Sequence, residues 1–269
     1  MEIIRWLHTM PCGDLLSLMP SFKESYESTG CKSVIYQRVN VPYAEFGAYP
    51  GAQYSIKDKN GLPVTMSEEV FNAVKPLMLS QEYIQDFLIW DGNEVDHNLD
   101  MLRQHDTPMP FGSINAYLPF IIPATACDLS KPWLNIPYFI KQDAIGKIII
   151  NRTQRYNNMY ISYNFLKKYE GSVLFVGLPD EYEWFCKQNN LSIPRLEAKD
   201  YFEIAVALYN CKLYIGNQSS LWQVAEGQKI SRILEVCKSI PNVIGYGPNF
   251  YQFLKQEALE YYVNKLFNS

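Results

Sequence analysis

The sequence predicts an α/β protein whose C-terminal half is a doubly wound parallel sheet. Three observations carry this: short apolar runs bounded by Gly, Asn or charge, segments of helical spacing between them, and the regular alternation of the two. The runs are residues 147–151, 172–177, 212–217 and 232–236, near-continuously apolar as strands buried on both faces are. Between them, Ile161, Phe165, Leu166 and Tyr169 share a helical face. Residues 180–188 read as a second helix, and Asp200 N-caps a third carrying Ile204, Ala205 and Leu208. Strand and helix in this order imply right-handed crossovers and helices on both faces of the sheet. Ligands on such sheets bind beyond the carboxyl ends of the strands, which directs attention to the loops after Ile150, Val176 and Ile215.

The N-terminal half begins in the same style. Residues 3–7 form a strand, Pro11-Cys12-Gly13 a turn, and Leu15, Leu18, Met19, Phe22 and Tyr26 the apolar face of a helix that Pro20 kinks or shortens. A second strand covers 33–39. Residues 42–60, rich in Pro, Gly and Tyr, read as a structured loop, 67–90 as helix broken near Pro76, and 106–137 as a Pro-rich connection. This organisation places one domain over 1–144 and a second over 145–269.

Composition narrows the function. Of 269 residues, 48% are apolar and 19% charged, ordinary globular usage rather than the signature of disorder. Lys plus Arg is 24 against Asp plus Glu 28, a net charge of −4, so no global basic field is available to hold a phosphate backbone. No apolar run approaches the roughly 20 residues of a membrane span, and the N-terminus lacks the basic and apolar segments of a signal peptide. The reading is a cytoplasmic protein. Six scattered cysteines, no Cys-x-x-Cys and three histidines argue against a zinc site or a disulfide framework. No Gly-x-Gly-x-x-Gly follows a strand, which argues against an NAD enzyme.

Three pieces stand where chemistry is expected. The first is the turn after the first strand, with Gly13 and Asp14. Asp14 is either an N-cap or first-turn carboxylate, satisfying orphan N–H groups and the helix dipole, or a general base. The second, Asn151-Arg152-Thr153-Gln154-Arg155, leaves a strand with two guanidinium groups and a hydroxyl. That set suits a diphosphate, the alternative being a polar loop whose arginines pair with surface carboxylates. The third, Gly216-Asn217-Gln218-Ser219-Ser220, joins a strand to a helix whose first N–H groups point at an anion, with Gly216 allowing close approach. Capping alone also explains the serines, and the spacing Ser220 to Gln223 fits a capping box. Gly177, Glu181, Glu183, Gln223 and Glu226 are candidate nucleoside or sugar contacts, or solvated helix charges and amides.

Together these pieces resemble the heptosyltransferase-like glycosyltransferases. Gly13-Asp14 before a helix containing Pro20, Val176-Gly177-Leu178-Pro179-Asp180-Glu181, and Gly216-Asn217-Gln218-Ser219-Ser220 with Ala225 carry the likeness, which is strong over 145–236 and confined to about 25 residues at the N-terminus. Gln218 stands where the family usually has Asp, Ser220 where it has Gly and Gln223 where it commonly has His. The resemblance implies a GT-B fold of two facing Rossmann-like domains with a nucleotide-sugar in the cleft between them. It further implies an inverting transfer to a glycan or small-molecule acceptor, with Asp14 as base and Thr153, Arg155 and the helix start at Ser219-Ser220 stabilising the leaving diphosphate. The nucleotide-sugar is a co-substrate, and no cofactor is expected. With no Asp-x-Asp in the chain, no metal is expected either. Two alternatives share the fold: a transferase acting on a modified base of DNA, with bases stacked on tyrosines, and a binding protein that has lost turnover.

Overall fold

The computed structural model describes residues 2–46, 56–103, 112–137 and 139–268. The chain divides into two units, Met1–Asp128 with Asp200–Phe202, and Leu129–Lys199 with Glu203–Ser269.

The first unit runs β1 (Ile3–His8), α1 (Cys12–Ser17), α2 (Met19–Thr29), β2 (Lys32–Gln37), α3 (Glu68–Leu79), β3 (Ile84–Ile89), β4 (His97–Asn98) and α4 (Tyr117–Ile121). Its strands pair in parallel in the order β3-β2-β1-β4. The helix expected after β1 is two helices: Leu18 ends α1, and Pro20 sits in the first turn of α2, where its missing N–H costs nothing. Trp6 anchors this unit, stacked on His97 at 4.6 Å, tilted against Phe22 at 5.4 Å and donating its indole N–H to Ser33 Oγ at 3.1 Å.

The stretch read as one broken helix over 67–90 is instead α3 followed by β3. Pro76 lies inside α3 without ending it, because Val74, Leu77 and Met78 are fully buried. Burial at roughly 1.5–3 kcal/mol for each such side chain outweighs the roughly 3 kcal/mol that an interior proline costs. Residues 84–89 then pair with β2, with Phe87 packed on Phe71 at 4.4 Å. Of the loop read at 42–60, residues 47–55 lie outside the described residues. Its described ends carry a 3-10 turn, Tyr43–Phe46, and bridges from Pro42 to Val64 and from Lys57 to Pro63.

The second unit runs β5 (Ile148–Asn151), β6 (Val173–Phe175), α5 (Pro179–Asn189), α6 (Tyr201–Asn210, of which Tyr201 and Phe202 group with the first unit), β7 (Leu213–Gly216), α7 (Ser220–Gln228), β8 (Arg232–Glu235), β9 (Phe250–Phe253) and α8 (Gln256–Asn268). The four strands read from the sequence are present, joined by β9, and all pair in parallel in the order β6-β5-β7-β8-β9. The helical face at 161–169 is realised as 3-10 turns over Asn164–Ser172. Side-chain alternation sorts the core. Ile148, Ile150, Leu213, Ile215 and Ile233 face one way, against Phe185 of α5 and Leu259 and Val263 of α8. Tyr214 faces the other way, toward Trp222 of α7, with ring centroids 6.3 Å apart. Residues 129–137, read as part of the first domain, group with this unit. The N–H groups of Trp133 and Leu134 donate to Gly227 O at 2.9 and 3.0 Å, and a Cβ at Gly227 would meet both side chains at 2.7 Å.

Candidate functional site

In the second unit the strand order reverses between β5 and β7, the switch point at which doubly wound sheets bind ligands. Both loops that leave it are held by neutral side chains. Asn217, wholly buried, donates its Nδ2 to Thr153 O at 3.0 Å and Arg155 O at 2.8 Å and accepts from Thr153 N at 3.1 Å. Ser219 donates to Asn151 Oδ1 at 2.6 Å and accepts from Trp222 N at 3.3 Å. Asn151 Nδ2 in turn donates to Val176 O at 2.8 Å. The ends of β5, β6 and β7 are thus one hydrogen-bonded frame. The cap of α7 is Ser219, not Ser220, and Ser220 is the first helical residue.

Around this frame Thr153, Arg155, Gly177, Glu181 and Ser220 are partly exposed. Arg155 lies over the Tyr156 ring at 4.6 Å, on a loop turned by the left-handed φ of +59° at Tyr156, and makes no ion pair among the described residues. Its carbonyl is the part bound, by Asn217 and by Thr153 Oγ1 at 2.7 Å, so the residue is held at its root while the guanidinium stays at the rim. Glu181 Oε2 accepts Leu178 N–H at 3.1 Å, reaching back to the start of its helix as a third-position glutamate does. Burial pushes its carboxyl up to about 7, against the opposing pull of that N–H. A Cβ at Gly177, whose φ is +154°, would meet Phe175 at 2.9 Å, Glu181 Oε2 at 3.0 Å and Asn151 Nδ2 at 3.1 Å, so only glycine lets the carboxylate lie over the frame.

Other sequence candidates are engaged inside the unit. Arg152, 1% exposed, pairs with Glu235 through Nε and Nη2, both at 2.8 Å. Glu235 also accepts Asn158 N at 2.5 Å and the Tyr163 hydroxyl at 2.8 Å, which fills a carboxylate's acceptor sites. Burial, reinforced by that carboxylate, holds the Tyr163 phenol well above its ordinary range, so it stays a donor. Gln218 is spent on the 237–242 segment, donating to Ile240 O at 2.8 Å and Asn242 Oδ1 at 3.1 Å and accepting from Cys237 N at 3.1 Å. Gly216 makes room for the Tyr214 ring, which a Cβ there would overrun, rather than for a ligand. Glu226 is wholly buried between Lys229 and Arg232 and accepts Tyr246 N at 3.0 Å. Gln223 is buried and Glu183 is exposed on α5. The signal for Glu235 lay in the sequence: a carboxylate at the end of an apolar strand is almost never buried without a partner.

In the first unit the order reverses between β1 and β4, and here the tie is a carboxylate. Asp100, which no local pattern in the sequence flags, accepts Thr9 N at 2.9 Å and Thr9 Oγ1 at 2.6 Å and so fixes the turn that leads into α1. Gly13 and Asp14 stand in the first turn of that helix, whose N-cap is Pro11. Asp14 is therefore a first-turn carboxylate and not the cap. It lines a cavity of about 20 Å³ with His8, Met10, Ser17, Leu102 and Tyr117, room for about one water.

No protein-family model matches the chain, nor does any curated protein sequence. Solved structures do match in fold. A glycosyl transferase family 9 protein from Veillonella parvula aligns over 98% of this chain and 90% of its own, at 13% identity and a TM-score of 0.58. The E. coli heptosyltransferase WaaC with ADP aligns over 97% and 99%, at 12% identity and 0.55. The E. coli ADP-heptose LPS heptosyltransferase II aligns over 99% and 98%, at 11% identity and 0.54. At these identities the likeness is one of fold, and it extends over nearly the whole chain. Among the described residues no helix is long and apolar enough to cross a membrane.

Proposed function

We propose that the chain is a glycosyltransferase that takes a nucleotide-diphosphate-sugar at the switch point of its second unit. The observation that carries this is the half-exposed Arg155, presented by a hydrogen-bonded frame beside the N-terminus of α7. A cation and helix N–H groups at such a crevice suit a diphosphate. The fold likeness to structures named for heptosyl transfer, one of them holding ADP, supports the same reading. Thr153 and Ser220 add hydroxyls at the rim, and in this reading Glu181 accepts from hydroxyls of the nucleoside or sugar.

In the transfer, Asp14 takes the proton of an acceptor hydroxyl as that oxygen bonds to the anomeric carbon. The bond from that carbon to the phosphate oxygen breaks, and its electron pair leaves with the nucleoside diphosphate. Attack from the face opposite the leaving group inverts the anomeric centre. Arg155 and the α7 N-terminus hold the charge that develops on the diphosphate, and the reading needs no metal.

A thermal-shift panel tests it. One class of nucleotide-sugar at about 100 times its dissociation constant adds roughly 2.7 kcal/mol, a rise of several degrees, while NAD and ATP leave the melting temperature unchanged. A flat response to every nucleotide-sugar at millimolar concentration contradicts the reading.

A further inference from the structure

Glu235, the last residue of β8, is wholly buried and accepts from Arg152 Nε and Nη2, from Asn158 N and from the Tyr163 hydroxyl. Arg152 and Asn158 are the two ends of the segment that leaves β5 and carries Arg155. Arg152 closes the ring by donating Nη2 to Asn158 O at 2.9 Å. One carboxylate thus ties both feet of the loop to an interior strand of the sheet, while Asn217 braces the loop's middle at Thr153 and Arg155. A neutral amide in its place would offer a single acceptor oxygen and leave some of these donors without a partner.

As a source of stability the pair is poorly built. Arg152 and Glu235 are 1% and 0% exposed, and two charges taken out of water recover that cost only with full pairing. Among the described residues the buried Arg152 Nη1 finds no hydrogen-bond partner, although the guanidinium lies over the rings of Tyr163 and Trp184 at 4.9 and 5.7 Å from their centroids. An apolar group of similar volume would hold the loop against the sheet as firmly. What it would not do is fix the spacing of residues 152 and 158, and with it the turn through the left-handed Tyr156 on which Arg155 stands.

We propose that Glu235 and Arg152 are positioning residues for the anion site. Neither reaches a ligand; together they hold the 152–158 loop so that Arg155 and Thr153 meet a diphosphate in one preset geometry. The proposal rests on the reading that Arg155 takes the donor's diphosphate, and deepens it by naming the buried groups that act through Arg155. A loop held in this way has little freedom left to lose on binding, and a displacement of about 1 Å in a group that positions a substrate can cost about a hundredfold.

The test is calorimetric binding of ADP, GDP, UDP and dTDP to the full chain, to Arg152→Lys, to Arg155→Ala, to Arg152→Lys with Arg155→Ala, and to a triple variant, Arg152→Met with Tyr163→Phe and Glu235→Leu. Denaturant unfolding of each protein establishes that it is folded. Arg152→Lys keeps the charge beside Glu235 and loses only the planar fork, so a loss of binding in it is not a loss of charge. The triple variant removes both charges and the phenol hydroxyl, and leaves an apolar interior that keeps the fold. Both are expected to bind the preferred nucleotide about fivefold to tenfold more weakly than the full chain. With Arg155 already replaced, Arg152→Lys is expected to change affinity by less than about twofold, because groups that act through one another are not additive.

A pair that serves only stability shifts the unfolding midpoint and leaves the folded protein's affinity alone. Unchanged affinity in Arg152→Lys therefore overturns the proposal, and so does a fully additive loss in the Arg155→Ala background. If the triple variant fails to fold, Arg152→Lys and its combination with Arg155→Ala decide the matter. Absence of binding by all four nucleotides to the full chain at millimolar concentration overturns the donor reading and this proposal together, whereas binding that the variants leave intact overturns this proposal alone.

Discussion

The two switch points are built on the same parallel topology and furnished with opposite chemistry. In the first unit the crevice between β1 and β4 is tied by the Asp100 carboxylate, with Asp14 in the following helical turn lining a small cavity. In the second, the crevice between β5 and β7 is tied by the neutral side chains of Asn151, Asn217 and Ser219. The ion pair of Arg152 with Glu235 is buried beneath that crevice's surface, and Arg155 is left at the rim. Carboxylates at one crevice suit proton removal, and neutral donors with a cation at the other suit an anion. Topology places a crevice, and the residues that tie its loops decide which charge it accepts.

The contrast predicts its greatest effect at Asp14. Asp14→Asn keeps size and most first-turn compatibility but cannot take a proton, so turnover of the identified donor should fall by roughly 10²–10⁴-fold, with stability within about 1 kcal/mol. A folded variant with the parent rate removes Asp14 from the chemistry and leaves the first crevice as a structural feature.

Next comes the buried support of the second crevice. Glu235→Ala leaves Arg152 as an uncompensated buried charge and strips partners from Asn158 N and the Tyr163 hydroxyl. Denaturant unfolding should show a loss of about 3–5 kcal/mol. A loss under about 1 kcal/mol would mean that the pair is not desolvated as the structure has it.

Arg155 provides the third. Because its carbonyl, not its guanidinium, braces the loop, Arg155→Ala should leave stability nearly unchanged while nucleoside-diphosphate binding weakens by about 1.5–3 kcal/mol in calorimetry. A change of less than about twofold in affinity would assign the phosphate to other groups.

The mildest effect is a change of slope at Glu181. Its folded carboxyl titrates at about 7 rather than at 4.5 because it is buried. The native state therefore holds the proton that the unfolded chain releases. The resulting stabilisation is complete below about pH 4.5 and is lost as pH rises through about 7. Glu181→Gln, which can still accept Leu178 N–H, should flatten that part of the stability profile. Identical slopes for the two proteins between these limits would show that Glu181 is not desolvated.

Local pattern in the chain suffices for the parallel α/β class, four of the five strands of the second unit, and the three turns that carry Asp14, Arg155 and Ser219. Each rests on neighbours in sequence: an apolar run of strand length, a glycine or amide at its end, a capping residue after it. Contacts between distant residues set what such patterns do not express. Pro76 stays within α3 because its neighbours are buried, and residues 84–89 become a strand because β2 offers an edge to pair with. Arg152 and Arg155 lie close together on one loop and are chemically identical. One turns inward because Glu235, 83 residues away in sequence, waits at the end of β8, and the other stays at the surface. Burial and charge pairing depend on which distant residues the fold brings together, and so the division of the loop into a buried, paired arginine and a surface one arises only once the chain is folded.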